Sequence, residues 1–363
     1  MCFSKLFRKE SKKDLSKVRA QFFLKRREDY NCNIENVGSF TVATGMYNSS
    51  KFICDMLTEC GATVEELVVI DNNSIDREVT RFKPTHVFIE GLWVIPSKYD
   101  ILKKLHPTVS WIVRIHSDIP FLAVEGVAMD WIHDYLQKGV SVAANSPRMH
   151  RELKVYARGF KDQIQNVESL LPLLTNYYPK VSYKKSFKKF SEILNIGCFG
   201  AIRPLKNFLT QASSAHDYAQ RHGKYLKYHI NGNRVEGKGE PILKNLRAYF
   251  SNLKNAELVE HPWASHEDFL KTISEMDAVM QVSFSETFNI VCADAISQNV
   301  PLVGSTEIPF LRSITADPTS TKDIVETLDA VLYGRNNFIK QNVEDLNDYC
   351  LGSKKLWKNY LGK

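Results

Sequence analysis

Apolar residues fall in short runs punctuated by glycine, asparagine and proline, and these runs alternate with stretches of helical period. Residues 39–44 form a short β-branched run that Gly45 breaks, and Ser50 is placed to cap a helix reaching Glu59, with Gly61 at its end. Strands are predicted over 66–70, 85–89, 110–115 and 140–144, with a helix over 98–105. The lysine-rich stretch after Pro179 reads as a linker, and then the pattern restarts. Strands are predicted over 193–198, 225–230, 256–259, 278–282 and 301–303, with a helix over 206–221. The C-terminal stretch reads as helical, with Trp357 on an apolar face. Strands alternating with helices predict a parallel sheet covered on both faces, and right-handed crossovers make each half doubly wound. The expected organisation is a basic extension over 1–35, read as helical, and Rossmann-like domains over 36–178 and 193–335. A basic linker over 179–192 joins them across a cleft, and a C-terminal helix over 336–363 packs back on the first domain.

Composition adds limits. The 363 residues are 44% hydrophobic and 25% charged, which excludes a disordered, collagenous or membrane-spanning chain. The seven cysteines are scattered with no C-x-x-C pair, which fits reduced thiols in a cytoplasm better than a disulfide or zinc framework. The N-terminus is basic without an apolar core and cleavage site, so no secretion signal is expected.

The net charge of +7 is uneven. Residues 1–30 hold ten Lys and Arg against four acids, and Lys180, Lys184, Lys185, Lys188 and Lys189 form a second cluster. Such clusters attract the phosphates of nucleic acid or of anionic lipid, and they also occur as plain solvated faces. With Phe3, Leu6, Phe7, Leu15, Val18 and Phe22 on roughly one side, the N-terminal segment reads as an amphipathic helix. Charge alone does not choose between DNA and membrane.

Open parallel sheets bind ligands beyond the carboxyl ends of their strands. Gly45, His116-Ser117-Asp118, Gly200 to Asn207, Asn231, His261 to Trp263 and Ser283 to Asn289 are all expected there. Gly200, Arg203, Lys206 and Asn207 join a glycine turn to cations at a helix start, which suits a diphosphate; a surface loop with chance cations reads the same. A helix starting at Thr287, Phe288 and Asn289 offers free amides to a phosphate oxygen. Glu286 and Asp294, with seven residues between them, can reach opposite ends of one nucleotide sugar. His116 is either an acid–base group, a hydrogen-bonding partner for a sugar hydroxyl, or structural. Trp263 and Phe288 suit either a base or sugar contact or the core.

Two Rossmann-like halves, the glycine-to-Lys206 spacing and Glu286-x₇-Asp294 resemble the retaining GT-B glycosyltransferases of the family-4 type. Phe88 to Pro96, Val113 to Phe121 and Asn145-Ser146 look like the glycosyltransferases of large tailed phages, some of which decorate hydroxymethylated DNA. The resemblance implies a GT-B fold with an acceptor domain first and a nucleotide-sugar domain second. It implies a metal-independent transfer without a cofactor, using a UDP-sugar (glucose or arabinose) as co-substrate. It places His116 and Glu286 at the transferred sugar, and Gly45, Gly200, Arg203, Lys206, Asn207, Asn231, Trp263, Thr287, Phe288, Asn289 and Asp294 at the donor. Ser117, Asp118, Lys184, Lys185 and Lys188 fall to the acceptor. The sequence departs from the family pattern at Ala201, where an arginine is usual, and at Asp294, where glutamate is usual. The expected partner is DNA, with 5-hydroxymethylcytosine or a related base as acceptor. A membrane-bound enzyme acting on a lipid-linked or surface glycan, and a degenerate binding module, are the alternatives.

Overall fold

The computed structural model describes residues 13–26, 44–188, 191–312 and 314–362. Two compact units are present, and the described part of the first is 13–26, 44–179 and 348–362. Its elements are β1 (Arg19–Lys25), α1 (Thr44–Glu59), β2 (Thr63–Val69), α2 (Ser74–Phe82), β3 (His86–Glu90), α3 (Lys98–Leu105), β4 (Ser110–Ile115), α4 (Ile119–Leu122), α5 (Ala128–Gln137), β5 (Ser141–Ala144) and α6 (Pro147–Arg158). The five strands are parallel in the order β2-β1-β3-β4-β5.

This unit corrects the reading of the N-terminus. Arg19–Lys25 is a strand inside the first sheet, and the five residues Ala20 to Leu24 are buried. A strand covered on both faces needs a continuous apolar run, and Phe22-Phe23-Leu24 supplies it amid charged neighbours. Arg19 is correspondingly structural: its guanidinium donates to the Phe82 and Lys83 carbonyls and lies 4.4 Å from the Phe82 ring. The strand expected over 39–44 falls on 39–43, outside the described residues, and on Thr44, which begins α1. The charged stretches 1–12 and 27–35 also lie outside them.

The second unit covers 180–347 and contains β6 (Ile193–Gly197), α7 (Phe208–Arg221), β7 (Tyr225–Ile230), α8 (Glu240–Ser251), β8 (Ala256–Glu260), α9 (His266–Ser274), β9 (Ala278–Gln281), α10 (Ile290–Ser297), β10 (Leu302–Gly304) and α11 (Thr321–Tyr333). Its parallel sheet runs β10-β9-β6-β7-β8. The last helix, α12 (Arg335–Leu361), begins in the second unit, and from Asp348 onward it belongs to the first. There Trp357 is fully buried against Phe22 and Phe88 and donates its indole N–H to the Thr175 carbonyl at 2.9 Å.

The lysine-rich stretch, expected as a linker, is fastened to the second unit by three asparagines. Asn347 pairs with the backbone N–H and C=O of Val181, and Asn336 does the same for Ser186. Asn299 accepts from Lys184 N–H and donates to the Ser182 carbonyl. Among the described residues, no helix is long and apolar enough to cross a membrane.

Candidate functional site

In the second unit the order β10-β9-β6-β7-β8 reverses direction between β6 and β9, and open sheets take ligands outside the carboxyl ends of strands at such a point. The loops after these two strands carry Gly200 to Asn207 and Val282 to Asn289. Gly200 sits at φ +107°, where a side chain is strained. Its N–H donates to Asn231 Oδ1 at 3.0 Å, so the Asn231 side chain holds the turn.

Lys206 and Glu286 meet here. Lys206 Nζ lies 2.5 Å from Glu286 Oε1, and Asn289 Nδ2 donates to the same oxygen at 3.0 Å. Asn289 also donates to Gln281 Oε1 and accepts from Cys292 N–H with its own oxygen. It therefore caps α10 and fixes the Glu286 carboxylate at once. The helix begins at Ile290, so Thr287 and Phe288 lie in the loop before it rather than in its first turn. The Phe288 ring is buried against Phe310 at 5.1 Å, so only its backbone is left for a ligand.

Two glutamines that sequence reasoning missed lace the loops together. Gln281 donates to the Phe199 carbonyl, and Gln211 donates to the Lys206 carbonyl while accepting from Val282 N–H at 2.7 Å. Their signal was weak: Gln281 ends an apolar strand and Gln211 sits on the buried face of α7. Asn207 belongs with them. At φ 57°, its amide donates to the Val282 and Pro318 carbonyls at 3.1 and 2.8 Å, so its side chain is a fastening rather than a donor contact.

Arg203 turns toward Glu236, 3.8 Å away, and Glu236 also accepts from Arg234. The Arg234 guanidinium covers the Trp263 ring at 4.2 Å, so one face of that half-buried indole is taken. Asp294 is 2% exposed and lies 2.8 Å from His266 Nε2 at the start of α9. This hydrogen bond raises the His266 pKa against the effect of burial. His229 and His261 stack and share a 2.8 Å hydrogen bond at the ends of β7 and β8; burial, then His261, pulls His229 down to about 4. The nearby thiols of Cys198 and Cys292 are pushed up by burial, Cys198 to about 12, and are inert as nucleophiles.

The first unit places its candidates at the carboxyl edge of its own sheet. Gly45 is the second residue of α1, and Met46 beside it packs at Gly91, just past β3. His116 follows β4, with its Nε2 2.5 Å from Glu90 Oε2. Ser117 is half-buried. Asp118, expected at the acceptor, is 3% exposed and takes hydrogen bonds from Arg148 and Ser146, which makes it structural. In the lysine stretch, Lys188 pairs with Asp277 at 3.0 Å and donates to the Glu275 carbonyl. Lys180, Lys184 and Lys185 are exposed, as are Phe187 at 80% and Tyr183 at 37%. No group of three metal-binding side chains occurs among the described residues.

No protein-family model matches the chain, and no curated protein sequence does. Solved structures do. A structure described as trehalose-6-phosphate from E. coli bound with UDP-2-fluoro glucose aligns at TM-score 0.63 and 10% identity, over 95% of this chain and 99% of its own. The N-terminal domain of Candida albicans trehalose-6-phosphate phosphatase aligns at 0.62 and 9%, over 96% and 97%. Sucrose-phosphate synthase from Thermosynechococcus elongatus aligns at 0.61 and 12%, over 94% and 98%. At these identities the likeness shows the fold: two parallel-sheet α/β units of the GT-B type.

Proposed function

We propose that the chain is a glycosyltransferase that moves a sugar from a nucleotide sugar to an acceptor hydroxyl. The observation that carries this reading is the Lys206–Glu286 pair at the reversal point of the second sheet, beside the Gly200 turn and the start of α10. In this reading the diphosphate of the donor takes Lys206, with amides at the α10 start beside it. Glu286 turns to the sugar hydroxyls and Asp294 to the ribose diol. The anomeric carbon–oxygen bond breaks and the diphosphate leaves with the electron pair. The acceptor oxygen bonds to the same carbon, and its proton ends on the leaving phosphate. Fixed cations and amides aimed at the charge that develops supply the main stabilisation. Retention is what the family resemblance implies; with no side chain assigned as a nucleophile for a double displacement, it requires the acceptor to attack from the face the diphosphate leaves, because a single displacement from the opposite face inverts. In this reading Lys206 and the amides carry the charge, and no metal is assigned to the step.

We assign UDP as the nucleotide, glucose or arabinose as the sugar, and 5-hydroxymethylcytosine in DNA as the acceptor, in a cytoplasmic reaction. The acceptor assignment is supported by the net charge of +7 and by the exposed Lys180, Lys184 and Lys185, together with the phage-type motifs around His116. Such a base has to leave the duplex stack to reach a protein site. The test is incubation with hydroxymethylcytosine duplex and a panel of UDP-sugars, followed by digestion and nucleoside mass spectrometry. A gain of one hexose or pentose supports the assignment. Release of UDP with no gain on the nucleoside rejects the DNA acceptor in favour of a glycan or lipid-linked one. Neither product rejects the transferase.

A further inference from the structure

The stretch 180–188 holds exposed rings that the reaction at Lys206 and Glu286 does not use. Its place in the second unit is set by contacts with the sheet. Lys188 meets the Glu275 carbonyl and Asp277, just before β9, and Lys184 N–H donates to Asn299, just before β10. These are the amino ends of two parallel strands. Lys206 and Glu286 follow the carboxyl ends of β6 and β9, so the length of β9, about 13 Å of strand, separates the two edges. The stretch lies at the edge opposite the proposed donor site.

One exposed ring on a surface is ordinary, but this edge gathers three. Phe187 is almost wholly exposed and Tyr183 partly so; Tyr333, at 92% exposure, ends α11 three residues before Asn336. Asn336 ties them together, because its Oδ1 accepts from Tyr183 O–H at 3.4 Å and from Ser186 N–H at 2.8 Å. Residues 180–188 carry four lysines and no acid. Lys188 is taken up by Asp277, which leaves Lys180, Lys184 and Lys185 at the surface. Lys185 Nζ stands 5.4 Å from the centre of the Phe187 ring, so cation and ring share one side of the chain. The backbone beneath needs little ordering when a partner binds. Asn347, Asn299 and Asn336 already hold the N–H or C=O of Val181, Ser182, Lys184 and Ser186.

Open ring faces beside cations fit a strand of unpaired bases, whose faces stack on the rings and whose phosphates take the ammonium groups. A membrane surface matches less well. Its grip scales with the apolar area buried, and Val181, the one aliphatic residue of 180–188, is already inside the protein. We propose that Tyr183, Lys184, Lys185, Phe187 and Tyr333 form a contact surface for single-stranded nucleic acid. Phe187 stacks on a base there, and Lys184 and Lys185 neutralise neighbouring phosphates. Naming the strand as DNA rests on the acceptor assignment above; in that setting the surface grips an unpaired stretch beyond the base that receives the sugar.

The experiment is fluorescence anisotropy of a labelled oligothymidine strand titrated with the full chain over a series of salt concentrations. Phe187 is exposed, so its substitution leaves the fold intact, which circular dichroism checks. Phe187→Ala should weaken binding about 5- to 150-fold, the effect of losing one base stack, with the salt slope unchanged. Phe187→Trp should bind at least as tightly as the wild type, and Phe187→Leu as weakly as Phe187→Ala. Lys184→Glu with Lys185→Glu should instead flatten the log–log slope, by about 0.7 for each phosphate released. No strand binding by the wild type at low salt overturns the proposal, as does equal affinity in Phe187→Ala. Wild-type affinity in Phe187→Leu also overturns it, since the contact is then apolar and not a stack. Binding to phosphatidylserine vesicles that Phe187→Ala abolishes, with strand affinity unchanged, gives the surface to a membrane instead. Sugar transfer to hydroxymethylcytosine DNA is read separately by mass. Transfer with no effect of Phe187→Ala on strand binding removes this surface alone, whereas strand binding through Phe187 without transfer supports the surface and removes the acceptor assignment alone.

Discussion

The Lys206 ammonium and the Glu286 carboxylate, 80 residues apart in sequence, lie 2.5 Å from each other at the carboxyl ends of neighbouring strands. Both side chains are nearly buried, at 11% and 7% exposure. Each satisfies the other's charge, and Asn289 steadies the carboxylate. In the proposed donor complex Lys206 passes to the diphosphate, and the Glu286 carboxylate keeps Asn289 and gains the sugar hydroxyls. Removing one partner leaves a nearly buried charge alone, at a cost on the order of 3–5 kcal/mol in a fully buried pair and less at this exposure.

Gly200→Ala tests the turn. A Cβ there would meet only Val291, at 4.0 Å, so the cost is backbone strain at φ +107° rather than a clash. Loss of about 1–2 kcal/mol is expected, with weaker UDP binding. Thermal melting and calorimetry read the two effects.

Asp294→Asn keeps the shape of the side chain and removes its charge next to His266. If Asp294 meets the ribose diol, affinity for UDP should fall about tenfold, in keeping with a charge-assisted hydrogen bond. The preference for UDP over 2′-deoxy-UDP should shrink as well. Calorimetry with the two nucleotides checks this, and an unchanged preference takes Asp294 out of the ribose site.

Lys180, Lys184 and Lys185 project from a stretch whose backbone is held by Asn299, Asn336 and Asn347. Changing the three lysines to glutamate should weaken duplex DNA binding and flatten its dependence on salt, by about 0.9 in the log–log slope for each phosphate no longer neutralised. Turnover on a free hydroxymethyl nucleoside should be retained. A titration of DNA affinity from low to physiological salt measures the slope.

Acid should destabilise the fold. His229 has a folded pKa of about 4, and burial also lowers those of His86, His116, His150 and His261. The unfolded chain binds protons from about pH 6.5 downward, whereas folded His229 resists them until about pH 4. Stability present above pH 6.5 is therefore lost as the pH falls through this window, by at most about 3 kcal/mol for His229. His266, whose pKa is raised by Asp294, acts in the opposite sense: its contribution is complete below pH 6.5 and is lost as the pH rises through its folded value. Urea midpoints at pH 7 and pH 5 check the net fall, and His229→Asn should reduce it.

Strands rich in β-branched and aromatic residues between clear breaks were legible in the sequence almost to the residue, including β4 at Ser110–Ile115 and β7 at Tyr225–Ile230, despite Arg114, Lys227 and His229 within them. β1 was not, because Arg19 and Lys25 flank it and the surrounding charges repeat with a helical period. Glycine and charge spacing pointed to Lys206 and Glu286, whose loops the parallel topology then joins. Gln211, Gln281 and Arg234 gave little or no signal, and Glu90 no role within its motif, because their parts arise from hydrogen bonds and stacking between elements distant in sequence, which no local pattern encodes. Asp118 and Asn207 carried the right chemistry at the right strand ends, yet Arg148 and two backbone carbonyls occupy their polar groups.

The most direct test of the central claim is calorimetric titration of the full chain with UDP-glucose and UDP-arabinose, for the wild type, Lys206→Ala and Glu286→Ala, each first shown to be folded by circular dichroism. The wild type is expected to bind at least one of the two saturably. Lys206→Ala should lose affinity on the scale of about 1.5–3 kcal/mol, the worth of a hydrogen bond to a charged group. Glu286→Ala should still bind UDP but no longer gain from the sugar. No binding of either nucleotide sugar by the wild type, or equal binding by all three folded chains, would contradict it.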